Sequence, residues 1–423
     1  MSSIKKEAER CLKCKKAHCS EHCPISTPVP QVMELFLNGE IKEAGQILFN
    51  NNPISAITSM ICPHEKNCTG HCVLGKKSSP VEFYRVEEYI SRFYLETMEI
   101  PEIRRNGIKV AVAGAGPAGI TMSILLLLDG YDVTLFEAED DIGGVLRFGI
   151  PPFRLPKDLL DLLRNILLNL GVHFRPNTRI GTNIMIDDLF PDGYKALFVS
   201  TGTGRPRKLG LIGETLGHVH FAIDYLKSPY SFRLGRRVVI VGAGNVAIDV
   251  ARTVIRCGHS YATILNYMGK DEMTANRDEV EMAELDGVEF VHHAQAIRIT
   301  DDAVKYVYVK RIENEDGTLT FEEDYSRVSD IPADSVIIAI GQGPGADIVT
   351  TGVRLTQRGL FDVNEWGETD IPGVFAAGDL VSGPKTVVEA VAFTKKVFRR
   401  MKEYLAEELK SDSEDGSVLS ESS

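Results

Sequence analysis

The sequence predicts an α/β protein in which two Rossmann-like nucleotide-binding domains follow a small α-helical domain. Two glycine-rich motifs support this prediction, Gly-x-Gly-x-x-Gly from Gly114 and Gly-x-Gly-x-x-Ala from Gly242, because each follows a β-prone run and opens a helix-like segment. The helical domain is indicated by seven cysteines before residue 75, in a region where apolar residues recur at helical spacing.

Composition and charge restrict the possible functions. The chain has 423 residues, of which 43% are hydrophobic, enough for two or three domains with apolar cores. Its formal net charge of −12 argues against a nucleic-acid partner, which would require a basic surface. No apolar run approaches the ~20 residues of a membrane span, and the polar start MSSIKKEAER contains no secretory signal. We therefore expect a cytoplasmic protein with no membrane or nucleic-acid partner.

The N-terminal cysteines form two groups, C-x2-C-x4-C-x3-C-P and, after a gap of 38 residues, C-P-x4-C-x3-C. The members are Cys11, Cys14, Cys19, Cys23, Cys62, Cys68 and Cys72. Disulfides are a poor interpretation, because seven is odd and cytoplasmic thiols stay reduced. Residues 27–51 predict two short helices separated at Asn38-Gly39, and residues 81–98 predict another. We therefore expect the group bound by the cysteines to stabilise a helical domain.

Two kinds of metal site fit these cysteines. The interleaved histidines that could complete tetrahedral zinc sites are His18, His22, His64 and His71. The Cys-Pro steps at Cys23 and Cys62 are instead similar to the bacterial ferredoxin run, and the redox-type domains downstream also favour iron–sulfur clusters. Two cubane clusters need eight ligands and the region supplies seven thiolates, so one ligand must come from elsewhere.

The first glycine motif has the residues that a bound dinucleotide requires. It follows the β-prone run 110–113. Gly114 allows the tight turn, Gly116 lets backbone N–H groups approach a pyrophosphate, and Gly119 allows close packing of helix and strand. A second β-prone run ends at Glu137, where a carboxylate can accept hydrogen bonds from an adenosine ribose.

The second glycine motif lies 128 residues after the first and follows the β-prone run 238–241. Two dinucleotide motifs in one chain indicate one site for FAD and one for a nicotinamide nucleotide. Further downstream, residues 334–345 predict a strand that leads into a glycine loop. Residues 374–396 predict a strand, then Gly378-Asp379, then a helix.

Taken in order, these features resemble one family. They are the cysteine-rich head, the first motif with Glu137, GGVLRFGIPPFRLPK, the second motif and the late Ala-Gly-Asp. The family comprises the small (flavin) subunit of bacterial glutamate synthase and the matching half of dihydropyrimidine dehydrogenase. The resemblance covers roughly residues 5–405. In length and in the segments KTVVEAV and IDVA, the chain looks closest to the separate flavin subunit of bacterial NAD-dependent dihydropyrimidine dehydrogenase.

The resemblance implies an FAD-binding domain split in sequence by an inserted NAD(P)-binding domain. Residues 1–103 would form the helical domain with two [4Fe-4S] clusters, residues 104–215 and 335–408 the FAD-binding domain, and residues 216–334 the NAD(P)-binding domain. Residues 409–423 are acidic and serine-rich, which predicts a disordered tail.

The resemblance also implies roles for individual residues. Those expected to bind the FAD pyrophosphate and ribose are Gly114, Gly116, Gly119 and Glu137. Those expected along the flavin and its ribityl-phosphate region are Gly144, Val145, Arg154 and Asp379. Those expected to cradle the nicotinamide nucleotide are Gly242, Gly244, Asn245 and Val246. One cluster would take Cys11, Cys14, Cys19 and Cys72. The other would take Cys23, Cys62, Cys68 and, from the following helix, Glu87 as the missing ligand.

These cofactors define an electron-transfer subunit. A nicotinamide gives up two electrons as hydride, a cluster accepts one at a time, and a flavin does both, so no catalytic acid, base or nucleophile is assigned. The resemblance thus implies transfer from NAD(P)H through FAD and the clusters to, or from, a partner subunit that holds the substrate. Two alternatives are a self-sufficient FAD-dependent reductase with a zinc-binding head and a subunit of a flavin-based electron-bifurcating complex.

The end of the second strand in the inserted domain bears on the choice of nucleotide. NADP-specific members of the family carry Tyr-Arg-Arg there, and here Asn266, Tyr267 and Met268 take those positions. Each lost charge-assisted hydrogen bond costs about 1.5–3 kcal/mol. We therefore predict NAD(H) in preference to NADP(H), with Asn266 as a polar acceptor for the ribose. Lys270 or Arg277 could replace the missing arginines.

Overall fold

Two parallel sheets carry the two glycine motifs, one in each of the units into which the chain divides. In the computed structural model, which describes residues 2–258, 261–314, 319–345 and 351–420, the first unit consists of Met1–Leu146, Pro152–Thr203 and Pro344–Ser423. The second unit consists of Arg147–Pro151 and Gly204–Gly343. The predicted α/β class with two Rossmann-like sheets is confirmed.

The first unit begins with a helical head. Its helices are α1 (Ser2–Glu9), α2 (His18–Glu21), α3 (Val29–Asn38), α4 (Ile41–Asn51), α5 (Ser55–Ile61) and α6 (Phe83–Thr97), with 3-10 turns at Thr69–His71 and Val73–Lys76. Gly39 ends α3 with φ +88, in the left-handed region that favours glycine, so the predicted break is confirmed. Apolar residues of α3, α4 and α6 form the core of the head, among them Val32, Met33, Leu48, Val86 and Ile90.

The sheet of the first unit has five parallel strands in the order β15–β4–β1–β2–β3. The strands are β1 (Lys109–Ala113), β2 (Asp132–Phe136), β3 (His173–Arg175), β4 (Tyr194–Val199) and β15 (Val374–Ala376). The helices are α7 (Pro117–Leu128), α8 (Val145–Phe148, which crosses into the second unit), α9 (Asp158–Asn169), α10 (Ile186–Leu189), α14 (Asp379–Ser382) and α15 (Val387–Ser420). β1 is central, so the first glycine loop leaves the middle of the sheet at its carboxyl edge, where ligands of such sheets bind.

The second unit has a parallel sheet of its own, in the order β6–β13–β7–β8–β9. Its strands are β6 (Val219–Phe221), β7 (Arg237–Val241), β8 (Tyr261–Leu265), β9 (Glu289–Val291) and β13 (Ser335–Ile338). The helices are α11 (Ala222–Lys227), α12 (Asn245–Arg256) and α13 (Arg277–Leu285). An antiparallel sheet contains β10 (Ala294–Ile299), β11 (Ala303–Glu313) and β12 (Leu319–Pro332), and the short strands β5 (Arg205–Pro206) and β14 (Gln342–Gly343) pair with each other.

The structure differs from the sequence-based boundaries at three places. β13 pairs in parallel with β7, so residues 335–343 belong to the second unit and not to the FAD-binding domain, and residues 204–215 do as well. A short apolar run suits either sheet, and only its pairing decides between them. The last helix continues to Ser420 through most of the predicted disordered tail, because extending an existing helix costs little per residue. Residues 421–423 lie outside the described residues.

Membrane insertion was not expected from the sequence. None of the helices in the described ranges is both long and apolar enough to cross a bilayer.

Candidate functional site

The first glycine loop joins β1 to α7 through direct backbone contacts. A Cβ at Gly114, which has φ +94, would lie 2.6 Å from the carbonyl oxygen of Ser200. A Cβ at Gly119 would lie 1.8 Å from the carbonyl oxygen of Gly114, so neither position accepts a side chain. A Cβ at Gly116 would meet no described atom within 4 Å. The space beside this N-cap of α7 is therefore open, as phosphate binding there requires.

Glu137 lies at the end of β2, next to this loop. One carboxylate oxygen accepts the N–H of Ala115 at 2.6 Å and the other accepts the N–H of Glu139 at 2.9 Å. The residue is 7% exposed, and burial raises its pKa while these N–H groups oppose the shift. Glu137 thus fixes the glycine loop, and each oxygen keeps a lone pair for a ribose hydroxyl.

Gly378 and Asp379, which follow β15, lie beside the same helix N-terminus. A Cβ at Gly378 would lie 3.5 Å from the Cβ of Ala118 in the first turn of α7. Asp379 begins α14, and its Oδ1 accepts the N–H of Lys385 at 3.3 Å. Burial raises the pKa of Asp379 to about 6. The structure therefore brings Asp379 to the loop that would hold the FAD phosphates.

The segment expected along the flavin approaches the loop from another side. A Cβ at Gly144, which has φ +51, would lie 3.0 Å from the Cα of Gly116. Val145 is 41% exposed and begins α8, and Arg154 is half-buried. Lys157, to which the sequence assigned no role, donates a hydrogen bond of 2.6 Å to the carbonyl oxygen of the residue after Val145. Lys157, the last residue of GGVLRFGIPPFRLPK, therefore holds this turn in place.

The second glycine loop joins β7 to α12 in the same manner. A Cβ at Gly242 would lie 2.3 Å from the carbonyl oxygen of Ala339, whereas a Cβ at Gly244 would meet nothing closer than 3.5 Å. Gly244 is the N-cap of α12, so an open helix N-terminus is available for a phosphate here too. Asn245 Oδ1 accepts the N–H of the N-cap residue of α13 at 2.8 Å, and Val246 packs against the apolar core of the unit.

Asn266, which is predicted to accept a ribose hydroxyl, lies in the turn after β8. It is 3% exposed, its Oδ1 accepts the N–H of Met268 at 3.0 Å, and its Nδ2 lies 3.2 Å from Nδ1 of His292. Both polar atoms of the amide are thus used to shape the turn after β8. The predicted role of Asn266 at the ribose therefore stays a prediction, and this geometry adds a role in shaping the turn.

The two cations considered as replacements for the missing arginines are engaged elsewhere. Lys270 Nζ lies 2.5 Å from the carboxylate of Glu284, and Arg277 Nε lies 3.5 Å from that of Glu281 on the exposed side of α13. Tyr267, at one of the positions of the missing arginines, is 38% exposed and neutral. The turn after β8 therefore presents no unpaired cation among these residues.

Five cysteines line a first cavity in the helical head, namely the four that the resemblance assigns to one cluster (Cys11, Cys14, Cys19 and Cys72) and Cys68. Burial raises the pKa of Cys11 and raises that of Cys19 to about 11, and neighbouring thiols of the same set add to both shifts. Four sulfur ligands around one space fit a soft metal or an iron–sulfur cluster.

The other three cysteines and one carboxylate line a second cavity, and they are Cys23, Cys62, Cys68 and Glu87. Burial raises the pKa of Cys62 well above its ordinary range and that of Cys68 to about 12, and the charge of Glu87 adds to both shifts. Glu87 is 8% exposed, and burial raises its pKa to about 8. No hydrogen bond reaches its carboxylate from the part of the chain that the structure describes.

The eight groups line these two cavities, and their assignment to two sets of four stays a prediction from the resemblance. A buried carboxylate without a hydrogen-bond donor is costly unless a cation neutralises it, so the second set fits a positively charged metal centre. The histidines lie around these sets: His18 and His71 border the first cavity and His64 the second, with Nδ1 4.0 Å from the sulfur of Cys68. Each set has four ligands without a histidine.

Three apolar residues that the sequence did not single out also line these cavities. Val29 and Phe83 line both cavities, together with Cys68. Val388, at the start of α15, lines the second cavity. Since α15 follows Asp379 by only a few residues, the second cavity lies on the FAD side of the head.

Two families match the chain. Residues 108–393 match the family described as pyridine nucleotide-disulphide oxidoreductase. Residues 1–99 match dihydropyrimidine dehydrogenase domain II, 4Fe-4S cluster. The iron–sulfur interpretation of the cysteine-rich head is thereby confirmed over the zinc alternative.

Curated relatives extend over nearly the whole chain. The glutamate synthase [NADPH] small chain of Escherichia coli is 31% identical, with 93% of this chain and 89% of that protein covered. The NAD-dependent dihydropyrimidine dehydrogenase subunit PreT of Salmonella typhimurium is 32% identical, with 95% of this chain and 94% of that protein covered.

Solved structures share the fold of the nucleotide-binding part. FprA of Mycobacterium tuberculosis, in complex with NADPH, has a TM-score of 0.64 at 17% identity over 73% of this chain and 86% of that one. Thioredoxin reductase of T. acidophilum has a TM-score of 0.52 at 22% identity over 70% and 98% of the two chains. Together with the family matches, these relations show that the chain belongs to the FAD- and iron–sulfur-dependent NAD(P)H oxidoreductases that include the glutamate synthase small chain and the dihydropyrimidine dehydrogenase subunit PreT.

Proposed function

We propose that this protein is the electron-transfer subunit of a larger oxidoreductase, in which FAD and two [4Fe-4S] clusters connect NAD(P)H to a partner protein that holds the substrate. The observation that carries the proposal is that eight buried or half-buried groups able to bind metal line two cavities of the head, with Cys68 bordering both. When bound, FAD exchanges a hydride with the nicotinamide and single electrons with clusters, which carry one electron each.

The chain itself has to hold these groups at fixed positions. The first glycine loop and Asp379 would bind FAD, and the second glycine loop would bind the nicotinamide nucleotide. α15 would fix the distance between the FAD site and the head. Lys395 on this helix donates hydrogen bonds to the carbonyl oxygen of Asn51 at 2.6 Å and to its Oδ1 at 2.7 Å.

The lining of the cavities supports an order for the two clusters. Val388 places the second cavity next to the start of α15, and the first cavity has no residue of α15 in its lining. Val29 and Phe83 border both cavities, and so does Cys68, which is assigned to the second set of ligands. The proposed path therefore runs from FAD to the cluster at Glu87, then to the cluster at Cys14, and then to the partner.

The proposal includes NAD(H) as the favoured nucleotide. The turn after β8 has neutral side chains where NADP-specific members carry two arginines, and Lys270 is already paired with Glu284. One relative, the subunit PreT, is named for NAD and another, the glutamate synthase small chain, for NADPH, so the nucleotide follows local residues and not the family. The proposal also places the protein in the cytoplasm, where thiols stay reduced and free to bind clusters.

Anaerobic titration of the purified holoprotein with NADH tests the proposal. We expect about eight iron atoms per chain, a loss of both the flavin bands and the broad iron–sulfur absorption, and electron-paramagnetic-resonance signals from two reduced clusters. A chain that contains flavin and zinc without iron would contradict the proposal. So would clusters that stay oxidised after the flavin has been reduced, when tested with dithionite as the control reductant.

A further inference from the structure

Two apolar side chains stand at the mouth of the first cysteine cavity. Leu12 and Val73 both line the cavity, yet Leu12 is 60% exposed and Val73 is 39% exposed. They come from segments 61 residues apart, and Arg10 ties these segments together through hydrogen bonds to the carbonyl oxygen and hydroxyl of Ser79 at 2.5 and 2.8 Å. The cluster ligands closest to the surface are therefore bordered by water-exposed hydrocarbon.

Exposed lysines from the same two segments surround this apolar pair, and they are Lys13, Lys15, Lys16, Lys76 and Lys77. The first three lie between Leu12, Cys14 and Ala17, which line the cavity. Lys76 is the last residue of the 3-10 turn that begins at Val73, and Lys77 follows it. Within the described ranges, none of the five forms an ion pair, whereas the chain as a whole carries a net charge of −12. Of the acids on the neighbouring helices α1 and α2, Glu7 pairs with Arg10 at 2.6 Å and Glu21 with His18 at 3.0 Å, whereas Glu9 is exposed. This part of an acidic protein is therefore locally basic.

We propose that these seven residues, Leu12, Lys13, Lys15, Lys16, Val73, Lys76 and Lys77, form the surface on which the electron-accepting protein docks. We call this surface the lysine face. Its partner presents acidic side chains around an apolar centre. The inference rests on the proposed function and adds to it the exit point of the electrons and the charge of the partner.

The charged and the apolar side chains of the lysine face contribute in different ways to binding. Unpaired lysines attract an acidic partner over distances of about 10 Å at 0.1 M salt, which accelerates and orients the encounter. Leu12 and Val73 then exclude water over the cluster, so that the two redox centres can approach closely. Charged side chains around an apolar centre therefore fit the contact between this subunit and its electron-accepting partner.

The test uses the holoprotein and two electron-accepting proteins that carry the same haem but have opposite net charges. Native cytochrome c is basic, and its fully succinylated form is acidic. Reduction of each by NADH is followed anaerobically at low and high salt.

The variants are Lys76→Glu/Lys77→Glu and Lys15→Glu/Lys16→Glu. The matched control is Lys42→Glu/Lys208→Glu, which reverses two exposed lysines outside the lysine face. Menadione, a small neutral acceptor, and iron content show that flavin and clusters are intact.

We expect the wild type to reduce the acidic probe faster than the basic one at low salt. Each lysine-face variant should slow the acidic probe about tenfold, speed up the basic probe, and lose its difference from wild type at high salt. The control variant should behave as wild type. If Lys15→Glu/Lys16→Glu lowers iron content because Cys14 is adjacent, then Lys76→Glu/Lys77→Glu decides.

Three results would overturn the inference, and they are distinguishable. Unchanged rates in lysine-face variants that retain iron would refute the docking surface and leave the proposed function intact. A wild type whose clusters stay oxidised after NADH has reduced the flavin would refute the proposed function itself. A homodimer in sedimentation experiments that Lys76→Glu/Lys77→Glu dissociates would show that a second copy occupies the lysine face instead.

Discussion

The carboxylate of Glu87 and the thiol of Cys68 face the same buried cavity, and the charge of Glu87 is second only to burial among the causes that raise the pKa of Cys68 to about 12. A carboxylate and a thiolate that are both ionised in a buried cavity repel each other, unless a cation between them neutralises their charge. The pair is therefore arranged for a positively charged centre and is unfavourable in its absence.

Replacing Glu87 with Ala should remove one of the two clusters, because only three ligands then remain in the second cavity. Iron content should fall from about eight to about four atoms per chain, and one of the two paramagnetic signals should disappear. Glu88→Ala is the matched control, since Glu88 lies on the same helix and lines neither cavity. Unchanged iron and spectra in Glu87→Ala would rule out this ligand and direct attention to His64, which lines the same cavity.

Alanine at two glycines of the first loop should have different consequences. At Gly119 the added Cβ would lie 1.8 Å from a backbone oxygen, so Gly119→Ala should destabilise the fold and lower the yield of folded protein. At Gly116 the space is open, so Gly116→Ala should fold normally but bind FAD about tenfold or more weakly, as the methyl group occupies the expected phosphate position. Thermal unfolding and flavin content separate the two. Equal flavin binding in Gly116→Ala and wild type would argue against the predicted pyrophosphate site.

Asp379 should make stability depend on pH in the FAD-free protein. Burial raises its folded-state pKa from 3.8 to about 6, so between these values the folded protein binds more protons than the unfolded chain. The free energy of unfolding therefore falls as pH rises through this window, and the loss is complete above about pH 6.

Asp379→Asn should remove that dependence. At pH 7 the FAD-free variant should be more stable than wild type by about 1–2 kcal/mol, the full shift being discounted because Asp379 is only half-buried. The difference should shrink towards pH 4. Unfolding of both proteins at several pH values measures this difference in stability. Loss of the clusters in acid affects both proteins equally, so it cancels in the comparison. Greater stability of wild type at pH 7 would contradict the prediction.

The turn after β8 should control nucleotide choice. Wild type should have a higher kcat/KM for NADH than for NADPH with menadione as acceptor. Tyr267→Arg/Met268→Arg should raise kcat/KM for NADPH at least about tenfold, because each new ion pair with a 2′-phosphate contributes about 1.5–3 kcal/mol. Asn266→Ala is the comparison, since loss of the amide that shapes the turn should weaken both nucleotides alike. A wild type that prefers NADPH would show that the prediction from Tyr267 and Met268 is wrong.

Local patterns predicted much of the architecture. Gly39, Gly114 and Gly242 all have positive φ in the structure, and each lies where the sequence required a turn or a close approach. The family resemblance is confirmed by relatives that cover nearly the whole chain. The assignment of seven cysteines and Glu87 to two sets came from the resemblance and stays a prediction, since these residues line two cavities and Cys68 borders both.

Other features depended on contacts between distant segments. The run 335–338 is apolar enough for either sheet, and its pairing with β7 could be read only from the fold. Asn266 has a suitable position in sequence for binding a ribose, but only the fold shows that it is buried and forms hydrogen bonds with Met268 and His292. Lys157 lies at the end of GGVLRFGIPPFRLPK, yet its hydrogen bond to the carbonyl oxygen of Leu146 became visible only in the fold. The place of Val388 in the second cavity depends on segments far from it in the chain.

The sequence by itself determined the α/β class, the two glycine loops and the metal-binding character of the head, because these follow from backbone sterics, hydrophobic periodicity and ligand chemistry within short segments. Only the tertiary structure decided which sheet β13 joins, which polar side chains are consumed by their own turns, and that lysines from two segments surround Leu12 and Val73. The physical reason is that burial, charge and pairing are properties of the space around a residue, and in this protein that space is enclosed by segments tens to hundreds of residues apart.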